Sequence, residues 1–131
     1  MATIKSYTDL QQSRKLAEIL PLESADMYYF TIIRDYPYSQ GKIKTIAKIM
    51  DGSFSSDYDT PCWSLAALLG VIPKHINEDN TLRIDINENS FAIWYDEIGC
   101  GVNNDLPDIT MESAIDACYE MIKSLHELNL L

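Results

Sequence analysis

The sequence predicts an α+β fold: an antiparallel sheet of four to five strands with three helices, in the order α-β-β-α-β-β-(β)-α, the central apolar helix buried. Three stretches carry that expectation. Leu82-Arg-Ile-Asp-Ile-Asn87 and Ser90-Phe-Ala-Ile-Trp-Tyr-Asp96 alternate apolar and polar residues, as half-buried strands do. With Glu88-Asn89 as a two-residue turn, both runs agree on one hairpin register. From Met111 to Leu128 apolar residues return at helical spacing. Between Thr60 and Pro73 only Ser64 is polar after the opening threonine, and a helix apolar all round is a buried one.

The first helix is expected over Thr8 to Leu20. Thr8 and Gln11 have capping-box spacing, Asp9 suits the positive end of the helix dipole, and Pro21 ends the helix. Met27-Tyr-Tyr-Phe-Thr-Ile-Ile33 is rich in β-branched and aromatic residues and reads as a strand. Asp35 to Gly41 is a turn-rich loop. Lys42 to Met50 fits both helical and strand spacing. The strand is preferred, because nine residues after a glycine turn suit a hairpin with the preceding run. Asp51 to Asp59 is a Ser/Gly/Asp loop. The central helix then takes Thr60 as N-cap and Pro61 as its first residue, with Gly70 just past its last turn.

In the following hairpin the pairs 82/95, 84/93 and 86/91 place Leu82, Ile84, Ile86, Phe91, Ile93 and Tyr95 on one face. Arg83 and Trp94 oppose each other on the other face, at cation–π range. Cys100-Gly-Val adds a short further strand. Asn103 to Ile109 is a loop leading to the last helix, capped by Thr110. There Met111, Ala114, Ile115, Cys118, Met121, Ile122, Leu125 and Leu128 form the apolar face, and Glu112, Asp116, Glu120, Lys123 and Glu127 the wet one.

Composition narrows the classes of function. The chain has 131 residues, 47% of them hydrophobic, which suits one domain over 1–131 with a core that needs no metal or disulfide. No apolar run approaches the roughly 20 residues of a bilayer span, and the N-terminus has no signal-peptide stretch, so a cytoplasmic protein is expected. Cys62, Cys100 and Cys118 are odd in number and lack CxxC spacing, which favours free, buried thiols. The formal net charge is −10, split as +2 over residues 1–50 and −12 over residues 51–131. Direct binding to nucleic acid or an anionic membrane needs a basic footprint, and the cluster Lys42, Lys44, Lys48 is too small to supply one.

No constellation for catalysis stands out, so no catalytic, cofactor-binding or metal residues are expected. In the first turn of a buried helix, Cys62 would gain acidity from backbone N–H groups. A nucleophilic cysteine also needs a base, and the two histidines fit poorly: His75 lies beyond the far end of that helix and His126 near the C-terminus of the last. A core role for Cys62 is preferred. Asp51, Asp57 and Asp59 miss the alternate ligand positions and terminal glutamate of a calcium loop, and read as solvated acids. Gly99-Cys-Gly101 opens no helix and does not make a phosphate loop. Tyr28, Tyr29, Tyr36, Tyr38, Trp63 and Trp94 read first as core aromatics, with a ligand pocket as the alternative.

Three blocks resemble a known group: Asp9 to Tyr28, Pro61-Cys-Trp-Ser-Leu-Ala-Ala-Leu-Leu69, and Asp116 to Leu131. They are similar to small proteins encoded in phages and mobile elements of gut bacteria. The resemblance implies such an origin and supplies neither an activity nor catalytic residues, so the expected role rests mainly on the missing motifs. The expected role is therefore a non-enzymatic accessory protein acting through a protein partner, with a homodimer compatible and no cofactor. The alternative is an acidic mimic of nucleic acid that blocks a nucleic-acid-binding host protein. Glu112, Asp116 and Glu120, one turn apart at about 6 Å of rise per step, would form its charged row.

Overall fold

In a computed structural model, residues 5–33, 43–49 and 60–131 are described. The elements are α1 (Leu10–Ala17), β1 (Met27–Ile33), β2 (Ile43–Ile49), β3 (Thr60–Cys62), α2 (Leu65–Val71), β4 (His75–Ile76), β5 (Asn80–Ile86), β6 (Phe91–Glu97), β7 (Gly101–Val102), β8 (Ile109–Met111) and α3 (Ala114–Glu127), with a 3₁₀ turn at Leu22–Ser24. This is an α+β fold with three α-helices and antiparallel pairing throughout the described strands. The expected loops over Asp35–Gly41 and Asp51–Asp59 lie outside the described residues.

The strands divide between two sheets. One has the order β2-β1-β3, and the other runs β4-β5-β6-β7 with β8 also pairing with β6. The preferred strand over Lys42–Met50 is present as β2, paired with β1 from Met27↔Ile49 to Ile33↔Ile43. Among the described strands it lies at the edge of its sheet.

The central segment differs from its expected form at both ends. Thr60 to Cys62 is strand, pairing with β1 as Tyr29↔Thr60, Tyr28↔Pro61 and Met27↔Cys62. Pro61 is tolerated there because β3 is the last of the described strands in this sheet, and a missing N–H costs least at an edge. The helix starts after Ser64, the one polar residue, whose hydroxyl accepts Ala67 N–H at 3.2 Å. Ser64 is held extended because its N–H donates to Asp26 Oδ1 at 2.9 Å and its Oγ donates to Asp26 Oδ2. Gly70 lies inside α2 rather than past it. Termination falls to the extended Ile72 and Pro73, with Lys74 Nζ donating to the end carbonyls of Leu69 and Ile72. Leu68 and Ile72 are buried, while Ala66 and Gly70 reach solvent.

Helix α1 starts one residue later than expected and ends at Ala17, short of the expected Leu20. Asp9, not Thr8, is the N-cap, and Gln12 completes the capping box. A carboxylate caps as well as a hydroxyl and also suits the helix dipole, which frees Thr8 for the interior. At the other end of the chain, Thr110 belongs to β8, and Ser113 caps α3 by accepting Asp116 N–H at 3.3 Å. The third residue of the missed β8, Met111, pairs with Phe91.

The hairpin register is as expected from Ile86↔Phe91 to Leu82↔Tyr95. Phe91, Ile93 and Tyr95 of β6 are buried, as are Ile115, Ala117, Cys118, Met121, Ile122 and Leu125 of α3. Because α3 lies against β6 and β8, β5 extends past the cover. Ile84 is 40% and Ile86 74% exposed. Arg83 faces Trp94 across the strands, yet its Nε pairs with Asp96 Oδ2 at 3.4 Å, and Trp94 Nε1 donates to Asp96 Oδ1 at 2.8 Å. Asp96 therefore organises the contact expected to be cation–π.

Candidate functional site

Two places combine side chains in ways that bear on function. The first is a buried polar nest where the segment before α1 meets β1 and β3. Thr8 is fully buried and bonds with Trp63 through both backbone and side chain: its N–H donates to Trp63 O at 2.9 Å, and its Oγ1 accepts Trp63 N–H at 3.1 Å. Thr8 Oγ1 also lies 2.7 Å from Ser13 Oγ and 3.6 Å from Cys62 Sγ. Cys62 Sγ donates to Thr8 O at 3.4 Å, and Tyr29 Oη donates to the same carbonyl at 2.6 Å. Tyr7 closes the outside, its ring edge-on to Tyr29 with centroids 6.2 Å apart. Every buried side-chain nitrogen and oxygen among the described residues has a partner, so the nest is satisfied.

Chemically the nest holds Cys62 as a thiol. Burial pushes its pKa up, and a nearby Asp26 acts in the same direction, against the hydrogen bonds from Thr8, Ser13 and Tyr29. Burial raises the Tyr29 phenol too, so neither is placed to give up a proton near neutrality. Cys62 lies in a strand rather than at a helix start, which removes the N–H field that would favour thiolate. His75 is an exposed residue of β4, in the other sheet, and His126 is exposed with Nδ1 3.2 Å from Leu131 O. Cys118 is buried and its pKa pushed up to about 12 by that burial, while Cys100 is exposed.

Among the described residues no group of three His, Cys, Asp or Glu is placed to hold a metal ion. Asp51, Asp57, Asp59, Tyr36 and Tyr38 lie outside them. Of the aromatics weighed for a pocket, Trp63 is fully buried with Nε1 donating to Ser24 Oγ at 3.0 Å, and Tyr29 belongs to the nest. Tyr28 and Trp94 are half-buried in different sheets.

The second place is the free edge of β5. The hydrogen bonds Asn87 N–H to Ser90 O and Ile98 N–H to Asp79 O, both 2.9 Å, fix the phase of the ladder. Opposed residues in an antiparallel pair alternate between bonded and non-bonded. Thr81, Arg83 and Asp85 therefore bond to β6, and Asn80, Leu82, Ile84 and Ile86 point N–H and C=O outward. β4 pairs with Asn80 and Thr81, and Lys74 O accepts Leu82 N–H at 2.9 Å. Beyond that point no described strand pairs with this side of β5. Leu69, Lys74, Leu82, Arg83 and Ile84 line an open groove beside it. Sequence alternation located Ile84 and Ile86. What it lacked was the position of α3, which decides that β6 is covered and the end of β5 is not.

The expected acidic row Glu112, Asp116, Glu120 is not all helical: α3 starts at Ala114 with Ser113 as its cap, so Glu112 lies ahead of it. Only Asp116 and Glu120 stand on the helix, where both are partly used within the fold. Asp116 Oδ1 receives Lys5 Nζ at 2.7 Å and Gln12 Nε2 at 2.8 Å. Burial would raise its pKa, but these two bonds and the lysine charge outweigh burial and lower it. Glu120 lies 3.5 Å from Lys123 Nζ. Lys123 in turn stands 5.1 Å from the centre of the Tyr119 ring.

Comparison with models of known protein families, with curated proteins and with solved structures finds no match. Among the described residues no helix is long and apolar enough to cross a membrane.

Proposed function

We propose that the protein is a small non-enzymatic accessory protein of a phage or mobile element that acts by binding another protein. The observation that supports this best is Ile86, 74% exposed beside the half-exposed Ile84, at an unpaired sheet edge. Large apolar side chains grouped at such an edge cost solubility and invite pairing, so their retention is explained if a partner covers them. The alternative, an acidic mimic of nucleic acid, draws on the −12 of residues 51–131. Asp116 contributes little to it, being bonded to Lys5 and Gln12.

The test is affinity capture from a bacterial lysate with the wild type and with the double variant Ile84→Ser, Ile86→Ser. A specific protein held by the wild type and lost by the variant is the expected result. Capture that falls steeply with salt, is competed by DNA and ignores the double variant would favour mimicry instead. Retained nucleic acid without a protein partner would defeat both.

A further inference from the structure

We propose that the free edge of β5 accepts an extended peptide as an added antiparallel strand, with the pattern apolar–basic–apolar and the basic side chain seated opposite Asp85. This rests on the protein-binding function proposed above and names the partner's chemistry. Ile84 and Ile86 turn N–H and C=O outward, so a strand two residues away in pattern can exchange backbone bonds with both. Their side chains stay on the sheet face that carries the core, 40% and 74% exposed, next to the groove of Leu69 and Leu82. Apolar residues of the added strand opposite Ile84 and Ile86 would meet that surface.

Asp85 decides the charge. It points to the other face with Arg83 and is exposed; its carboxylate accepts from Asn87 Nδ2 at 3.3 Å, and among the described residues it has no ion pair. The neighbouring cation is already engaged, since Arg83 pairs with Asp96. A second copy of this chain fits badly. Pairing Ile84 with the second copy's Ile84 drives the second copy's Ile86 onto Leu82, where Lys74 already sits. The two-fold register that does satisfy both outward residues pairs Ile84 with the second copy's Ile86, and it sets Asp85 opposite Asp85. Like charges directly opposed destabilise a strand pair, whereas a cation there stabilises it. The −12 of residues 51–131 also draws a basic segment toward this half of the chain.

The test uses the full chain and a blocked heptapeptide, Ser-Thr-Ile-Lys-Ile-Thr-Ser, in an NMR titration. Expected are saturable shifts and slowed exchange at the Ile84 and Ile86 amides, affinity about fivefold above that of the peptide with Glu for Lys, and loss of binding when both peptide isoleucines are N-methylated. Asp85→Lys should reverse the preference between the two peptides. Absence of binding, indifference to the Lys/Glu exchange, or perturbations confined elsewhere would overturn the proposal. So would concentration-dependent dimerisation with protected Ile84 and Ile86 amides and no peptide present, which would make the second copy the occupant. A lysate partner held equally by wild type and Asp85→Lys would sink this inference while leaving protein binding intact.

Discussion

Lys5 Nζ sits 2.7 Å from Asp116 Oδ1, tying the segment ahead of α1 to the first turn of α3 across 111 residues of sequence. The same lysine lies 3.1 Å from Asp9 Oδ2, so one cation joins the N-cap of α1 to α3. Both partners of the Lys5–Asp116 bridge are about a third exposed, with side-chain accessibilities of 27% and 33%. A pair of this kind contributes about 1 kcal/mol or less.

The bridge has a defined pH window. Asp116 has a lowered pKa in the fold, so between that value and the ordinary one near 4 the unfolded chain binds more protons and stability rises with pH. Its contribution is present above about pH 4 and lost as pH falls through the folded pKa. Burial lowers the Lys5 pKa, but Asp116 and Asp9 more than compensate and the net change is upward. Its contribution holds below about pH 10.4 and disappears as pH rises through the folded value. Asp116→Asn should therefore lower stability at pH 7 by about 1 kcal/mol and flatten the acid limb in urea melts recorded from pH 2 to 7. An unchanged acid limb would assign that limb to other carboxylates.

Within α2 two adjacent leucines should separate cleanly. Leu68 is 0% exposed and belongs to the core, whereas Leu69 is half-buried and lines the β5 groove. Leu68→Ala should cost about 2–5 kcal/mol, the range for buried large-to-small changes. Leu69→Ala should cost clearly less, because the loss scales with the apolar surface withdrawn from water. Chemical denaturation of both variants measures the gap, and equal losses would contradict the exposed placement of this side of α2.

These two leucines also show where the sequence was legible. The apolar run from Trp63 to Ile72 announced an element of the core, and its helical class was readable from spacing. Its start was not. Thr60-Pro61 carries a strong helix-start signal, and the pairing of Thr60 to Cys62 with β1 overrides it; that pairing depends on Met27 to Tyr29, far back in the sequence. Ser64, the one polar residue in an apolar run, is the true cap because Asp26 holds it. The β5–β6 register was legible because two independent alternations had to agree. The nest around Thr8 was not, since its members come from four separate segments and none carries a spacing signal. The edge at Ile84 and Ile86 was half legible: their face could be read, their exposure could not.

The three thiols should react in a fixed order. Cys100 is exposed, and Cys62 and Cys118 are fully buried. Brief treatment with iodoacetamide at neutral pH should modify one thiol per chain, located by peptide mass at Cys100. Burial raises both interior thiols, Cys118 to about 12, so the folded chain holds protons that the unfolded chain releases above about pH 8.5. Stability is then full below that pH and falls as it rises toward the folded values. Cys118→Ala should soften this alkaline decline even if it lowers stability at pH 7. Rapid labelling of native Cys62 would instead indicate an activated thiol and reopen a catalytic role for the nest.

Charge reversal on α3 and in the residues just ahead of it should discriminate between the two functional readings only if it spares the structural acid. Replacing Asp116 by Lys would place a cation against Lys5 and remove the acceptor of Gln12, so lost binding by any variant including it would be confounded with lost structure. Glu112 and Glu127 are exposed and without ion pairs among the described residues. The double variant Glu112→Lys, Glu127→Lys raises the net charge by four, from −10 to −6, and its melting temperature should stay close to that of the wild type, because isolated surface charges contribute little. If the protein partner is taken up at the β5 edge, its affinity should change little in this variant and drop in the Ile84→Ser, Ile86→Ser variant. If α3 imitates nucleic acid, the order reverses, and the salt slope of binding should shrink with the lost charges. Titration of the purified partner at two salt concentrations against both variants measures this directly.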